Sequence, residues 1–245
     1  MAKRTRRHDG RRADALRPVR FRPDFVRTAD GACLIEMGGT RIICTASVAD
    51  GVPRWRNGTG LGWVTAEYGM LPASTQKRKP RPTERRDSRS VEIQRIIGRV
   101  LRNVVRFDRL GVRTVYLDCD VLEADGGTRT AAINGAFVAM ARALAKLEAD
   151  GQVARGCVCG GVAAVSVGIV EGKAVLDLDY AEDSAAEVDM CVAMTGGGKF
   201  VEVQGTSEGG PFGRDALDRM LRLARRGIGR ILRLQREAVK GGSGR

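Results

Sequence analysis

The sequence contains one histidine, His8, in 245 residues. It stands among basic residues without an apolar pattern. That argues against chemistry needing a folded catalytic histidine: a Ser-His-Asp triad, a paired-histidine ribonuclease or a histidine metal cluster. Long apolar runs are missing too. No stretch approaches the roughly 18–20 residues of a membrane span, so no membrane partner is expected. The six cysteines (33, 44, 119, 157, 159 and 191) are scattered, several at apolar strand positions. Free buried thiols in a reducing cytoplasm explain them better than a disulfide framework. Cys157-x-Cys159 has no second pair and no nearby histidine, which excludes a zinc site. The basic start, with Lys3, Arg4, Arg6, Arg7, Arg11 and Arg12, has no apolar run behind it, so a secretory signal is not expected. Acidic residues are the minority: Asp and Glu number 29 against 42 Lys and Arg, a net charge of +13. A chain this basic usually meets a polyanion, and nucleic acid is the leading candidate.

Hydrophobic residues make up 43% of the chain, enough for one sizeable core. A flexible basic arm is expected over residues 1–15 and a mobile tail over 241–245. Between them, a hairpin is expected around the Gly38-Gly39 turn and a strand over 62–68. Residues 73–88 are polar, basic and Pro-interrupted. Asp87 and Ser88 are suitable caps for a helix over 89–105 with the apolar stripe Ile93, Ile96, Ile97, Val100, Leu101 and Val104. A strand over 113–122 alternates Val115, Leu117, Cys119 and Val121 with Asp118 and Asp120. A long apolar helix follows from Thr130. The second half shows strands over 162–170, 174–180, 189–194 and 200–204, then an amphipathic helix over 214–239. Each half is thus several strands followed by a long helix: an α+β fold of two similar halves, about 16–148 and 157–240, packed as one domain over 16–240.

Three constellations carry chemistry. Asp125-Gly126-Gly127-Thr128-Arg129-Thr130 joins a strand to a helix, leaving N–H groups unpaired at a positive helix end beside Arg129. It reads as an anion cradle, most plausibly for phosphate, or as a glycine turn with a threonine cap. Arg89, at the start of the preceding helix, would help hold an anion or would be one more solvated charge. The second constellation is acidic: Glu182, Asp183, Glu187 and Asp189 crowd the link between two strands. Asp183 and Asp189 could share one Mg²⁺, whose preference is for hard oxygen ligands, or the link could be a solvated acidic turn. The third is basic. Lys77, Arg78, Lys79, Arg81, Arg85 and Arg86 precede the helix, and Arg95, Arg99, Arg102 and Arg106 recur along it. They suit RNA phosphates, or else form a solvated face.

The stretches "LRPVRF" (16–21), "GVPRW" (51–55), "GWVTAEYGMLP" (62–72), "VEIQRIIGR" (91–99), "LDCDVLEADGGTRTAAINGAF" (117–137), "VAAVSVGIV" (162–170), "EDSAAEVDM" (182–190) and "EVQGTSEG" (202–209) follow one another in the order found in a known family. Through them the chain resembles the RNase PH family, phosphate-dependent 3′→5′ exoribonucleases that trim tRNA precursors. The resemblance implies the RNase PH fold, inorganic phosphate as co-substrate and nucleoside diphosphates as products. It also implies reversibility, so that nucleotides can be added, and a homohexamer built as a trimer of dimers. The family's phosphate arginine falls on Arg89, its phosphate loop on Gly127, Thr128 and Arg129, and its acidic pair on Asp183 and Asp189. Ser88, Glu123 and Asn134 depart from the residues usual there. Two other readings remain: a ring subunit that grips RNA without cutting it, and a metal-dependent hydrolytic nuclease releasing monophosphates.

Overall fold

The computed structural model describes residues 7–81 and 87–241. Alternating side chains build a first sheet from β1 (Val19–Pro23), β2 (Gly31–Met37), β3 (Thr40–Asp50), β4 (Trp63–Met70) and β5 (Arg113–Glu123), in the order β1-β2-β3-β5-β4. On β5, Val115, Leu117, Cys119 and Val121 are buried, while Asp118 and Asp120 face the other side. Only β4 and β5 pair in parallel. A parallel pair needs a crossover, and α1 (Ser88–Arg102) with the short α2 (Phe107–Leu110) provides it. Asp87 caps α1, accepting from the Ser90 N–H at 2.6 Å and the Ser90 hydroxyl at 2.9 Å. The helix stops at Arg102, short of the expected 105. There the Asn103 side-chain amide donates back to the Arg99 carbonyl at 2.8 Å, and Val104 and Val105 turn into the core.

The second sheet is antiparallel: β6 (Val162–Val170), β7 (Lys173–Leu176), β8 (Val188–Thr195) and β9 (Phe200–Ser207), ordered β7-β6-β8-β9. β7 ends at Leu176, not near Tyr180 as expected, because Asp177 adopts a φ of 57° and redirects the chain. Where the sequence pattern predicts only a link between strands, a helix follows, α4 (Tyr180–Ala185). Its cap is reciprocal: Asp179 accepts from the Glu182 N–H at 3.0 Å, and Glu182 accepts from the Asp179 N–H at 3.3 Å. The Asp179-x-x-Glu182 spacing carries that signal.

Two long helices complete the α+β architecture. α3 (Thr128–Ala149) packs on β2 and β3 with one side and on β6 with another, so 16 of its 22 residues are buried. Its alanines let both sheets approach. A Cβ on Gly135 would lie 2.7 Å from the Cys44 sulfur and 2.8 Å from the Ile35 methyl, which requires glycine there. α5 (Arg214–Lys240) buries one stripe, including Met220, Ala224, Ile228 and Ile231, against β6 and β7. One continuous apolar core runs through both halves.

The arm expected to be flexible over 1–15 is tied down from Arg7 onward. The Leu176 N–H donates to the Ala13 carbonyl at 2.8 Å, extending the edge at β7. Arg7 donates to the carbonyls of Leu176 at 2.6 Å and Asp177 at 2.9 Å. Within this segment the motif Arg7-His8-Asp9-Gly10-Arg11 supplies three side chains to the acidic residues around α4. The expected tail beyond Gly241 lies outside the described residues.

Asn134, buried in the middle of α3, joins the halves. Its amide donates to the Ala164 carbonyl and accepts from the Ala164 N–H, both at 2.8 Å. Replacing it with leucine would strand both backbone groups of a buried strand, at about 1–3 kcal/mol for each unpaired group. Asn134→Leu is expected to lower unfolding free energy by about 2–4 kcal/mol in urea denaturation, with an unchanged dependence on denaturant. A loss below about 1 kcal/mol would mean that Ala164 is satisfied without Asn134.

Candidate active-site cleft

The loop from β5 to α3 is the starting point. Gly126 and Gly127 have φ angles of 71° and 65°, a conformation that side chains resist. A Cβ on Gly126 would sit 2.6 Å from the Asp179 carbonyl carbon and 2.7 Å from the Tyr180 nitrogen. The loop of the first half is thereby pressed against the start of α4 in the second. Gly127 is the N-cap of α3 and brings no side-chain cap, so the first N–H groups and the positive helix end remain available. The expected start at Thr130 moves to Thr128; Thr130 instead donates its hydroxyl to the Gly127 carbonyl at 2.9 Å.

Gly127, Thr128 and Arg129 line a cleft of about 260 Å³ together with Arg89, Asp183, Asp189, Ser166 and Glu208. The four sequence elements expected to meet, the Arg89 helix start, the glycine loop, Asp183 and Asp189, therefore do meet. Burial raises the carboxyl pKa of Asp183, while Arg89 and Arg129 oppose the shift. Burial raises Asp189 as well, the negative charge of Asp183 adds to it, and Arg129 and Arg89 oppose. Each arginine thus lies within electrostatic reach of both carboxyls. Two partly buried carboxyls that repel each other form a hard oxygen pair that a small divalent cation would relieve, so the residues fit Mg²⁺. Cys191 also lines the cleft, but burial pushes its thiol up to about 12, leaving no thiolate nucleophile.

A ring of supporting residues, absent from the sequence-level site, fixes this geometry. Arg17 is buried. Its Nη2 donates to Asp177 Oδ1 at 2.8 Å and its Nε to Asp177 Oδ2 at 3.1 Å, while Nη1 donates to the Asp125 carbonyl. The Thr40 hydroxyl donates to the Gly126 carbonyl at 2.7 Å and accepts from the Asp125 N–H at 2.9 Å. Buried Tyr68 donates to the Thr128 hydroxyl at 2.9 Å. Arg129 donates to Gln204 Oε1 at 2.6 Å, and the Gln204 amide donates to Glu92 at 2.7 Å, a relay running from α3 through β9 to α1. Arg17 and Tyr68 fall inside two of the quoted stretches, yet their roles depend on partners far away in sequence.

His8, Asp179 and Glu182 place their ligand atoms within 4.8 Å of one another. The same carboxylates are taken by cations: Arg7 Nε meets Glu182 at 2.5 Å, and Arg11 Nη2 lies 3.4 Å from Glu182 and 3.5 Å from Asp179. His8 Nε2 is 2.8 Å from Asp179. This is an ion-pair cluster holding α4, and the arginines disfavour a metal ion there.

Of the remaining sequence-predicted residues, those that the structure describes do not line the cleft. Lys77, Arg78, Lys79 and Arg81 are exposed in irregular chain after β4. Arg85 and Arg86 lie outside the described residues. Arg95 and Arg99 line a separate depression with Trp63 and Arg102, and Arg99 pairs with Glu202 at 3.2 Å. The expected arginine stripe over 95–106 breaks up: the Arg102 guanidinium stacks 4.6 Å from the Trp63 ring centre, and Arg106 lies beyond α1.

Among solved structures, the fold is similar to that of rice (Oryza sativa) Rrp46, with a TM-score of 0.79 and 16% identity over 96% of this chain and 100% of that one. It is also similar to a chain of the Archaeoglobus fulgidus exosome with RNA bound to the active site, with a TM-score of 0.80 and 22% identity over 96% and 93%. An archaeal exosome core gives 0.75 and 21% over 96% and 92%. At these identities the likeness is one of fold. The two halves match the family models described as 3′ exoribonuclease family, domain 1, over residues 15–146, and domain 2, over residues 160–227. The chain belongs to this family, that of RNase PH.

Proposed function

We propose that the protein is a phosphate-dependent 3′→5′ exoribonuclease that trims 3′ extensions of tRNA precursors in the cytoplasm, and that it works as a homohexameric trimer of dimers. One observation carries the reading: a helix N-terminus, two arginines and two carboxyls converge on one cleft that has no histidine. Membership of the family supports it, and the likeness to assembled exosomes, one holding RNA, supports the ring and the substrate class.

Inorganic phosphate would rest on the N–H groups of Gly127, Thr128 and Arg129, gripped by the forked donors of Arg89 and Arg129. One of its oxygens attacks the last phosphodiester in line, and the bond from that phosphorus to the ribose 3′ oxygen breaks. Monohydrogen phosphate brings a proton, and the 3′ oxygen leaves as a hydroxyl, so the exchange balances without a histidine to activate water. Mg²⁺, held by Asp183 and Asp189, would supply positive charge to the phosphoryl oxygens. Positioning and charge provide most of the rate. Lys77, Arg78, Lys79 and Arg81, with Arg85, Arg86, Arg95 and Arg99, would hold RNA phosphates away from the reacting end.

The direct test incubates a tRNA carrying a short 3′ extension with and without phosphate. Release of nucleoside diphosphates only when phosphate is present is expected, as is extension of RNA by added diphosphates. Monophosphates at full rate without phosphate would establish a hydrolase. No release in either condition, with RNA still bound, would establish a gripping subunit.

Arg89→Ala and Arg129→Ala are each expected to lower turnover at least about 100-fold, the scale of one preorganised transition-state donor. Circular dichroism should be unchanged. Near-normal turnover at low phosphate would remove that arginine from the anion site.

The acidic pair separates stability from activity. Because both carboxyl pKa values are raised from 3.8, the native state holds protons more tightly than the unfolded chain. Their destabilisation is absent below the ordinary carboxylate range, grows as pH rises through the raised values, and is complete at neutral pH. Without Mg²⁺, Asp183→Asn and Asp189→Asn should therefore melt at the same or a higher temperature at pH 7, lose that advantage in acid, and yet turn over far more slowly. A variant destabilised at pH 7 would show its carboxylate to be structural.

A further inference from the structure

The outer face of α5 has no part in the cleft. Arg219, Arg222, Arg226, Arg233, Arg236 and Lys240 are exposed along it, with Arg225 and Arg230 on the same arc. Between 219 and 240 the only acidic residue is Glu237. Several arginines elsewhere are paired: Arg22 and Arg41 with Glu36, Arg113 with Asp50, Arg142 with Asp24. On this arc, among the described residues, the one polar contact is from Arg230 to the Asp14 carbonyl at 3.3 Å. Successive cations stand three or four residues apart, the spacing at which like charges destabilise a helix by about 0.2–0.5 kcal/mol per pair. Apart from Arg230, whose charge reaches the Asp14 carboxylate, the arc is therefore a concentration of cations without an ion-pair partner among the described residues.

The chemistry of the face selects its partner. A lipid surface needs apolar side chains beside the cations, and the apolar stripe of α5 is buried in the protein's own core. The same cationic row on a second copy would be repelled, which disfavours a symmetric contact of this face with itself. Single-stranded RNA is gripped by stacking on aromatic rings, and α5 contains none. A duplex backbone demands only a regular row of forked cations. From 219 to 240 the row spans about 32 Å at ~1.5 Å per residue, long enough to meet several successive phosphates along an A-form duplex. We propose that the outer face of α5 is a duplex-RNA docking surface, which seats the helical body of a structured RNA substrate by its phosphates without regard to sequence. The proposal deepens the exoribonuclease reading by giving the substrate's folded part its own contact, apart from the 77–81 segment.

The test replaces Arg222, Arg226, Arg233 and Arg236 with glutamine, which keeps helix propensity and relieves like-charge pairs. The probes are a hairpin RNA with a stem of about ten base pairs and the same 3′ strand as a short single-stranded oligonucleotide. Hairpin affinity at about 0.1 M salt is expected to fall at least about 10-fold, and the slope of log affinity against log salt to flatten by about 2–3. Oligonucleotide binding and trimming should not change. If the fourfold variant melts early, Arg222→Gln/Arg226→Gln and Arg233→Gln/Arg236→Gln take its place, each expected to produce about half the change in slope. Unchanged hairpin affinity and slope would overturn the proposal. So would an equal loss for the oligonucleotide, or a loss of binding to phosphatidylserine vesicles with hairpin binding intact. Binding alone decides the outcome. A protein that binds hairpins through α5 but releases no diphosphates would refute the phosphorolytic reading and leave this one standing.

Discussion

A single buried guanidinium sets the register between the two halves. Arg17, just before β1, spends its donors on the Asp177 carboxylate of the second half and on the Asp125 and Gly126 carbonyls of the first. Against well-packed apolar residues such a buried pair adds little net stability, but breaking it by removing one partner typically costs about 3–5 kcal/mol. Its effect here is geometric. With the loop carbonyls committed to Arg17 and Thr40, the N–H groups at the start of α3 are left for the cleft. Asp177, fixed by the same bond, turns the chain out of β7 and into the helix that carries Asp183. The anion cradle and the acidic helix come from opposite halves of the sequence, and this pair brings them onto one site.

Once assembled, the cleft holds charge of both signs in a partly desolvated space. Burial raises the cost of ionising both Asp183 and Asp189, the charge of Asp183 adds to it at Asp189, and Arg89 and Arg129 offset only part. A fold selected for stability alone would have no reason to keep two such carboxyls, which is the usual signature of a site kept for chemistry. The N-terminal segment makes the arrangement tolerable. Arg7 and Arg11 neutralise Glu182, next to Asp183, and Arg11 also pairs with Asp179 one turn before it, so the negative charge on α4 that remains unpaired by cations of this segment is the one facing the cleft.

What could be read in the sequence follows from the range of the interactions involved. Alternation on β5, the Asp87 cap, the Gly38-Gly39 hairpin and the amphipathic stripe of α5 are local, and all appear where the pattern placed them. All six cysteines are free and five are buried, as their apolar settings suggested. Boundaries failed where a side chain cut a periodic run: Asn103 ended α1 early, and Asp177 shortened β7. The anchored N-terminal segment was not legible, because a run of arginines looks solvated until Glu182, about 170 residues away, is seen to bury its partner. Asn134 stood out only as an unusual residue. Its two bonds to Ala164 show why an amide serves in that position, since it offers a donor and an acceptor to the same strand residue.

The excess positive charge also has more than one physical meaning once the fold is known. Arg7, Arg11 and Arg17 are consumed inside the protein, and Arg102 is held over the Trp63 ring; these hold structure. Arg89 and Arg129 face carboxyls across the cleft, where an arriving phosphate would compete for them. Among the described residues, the cations of α5 and of the exposed segment 77–81 stand in clusters that can act together at long range, where screening by salt is felt most. Counting arginines in the sequence mixes these populations. Net charge therefore identifies the class of partner but says nothing about where it sits, because the partner's site is set by which arginines the fold has left unspent.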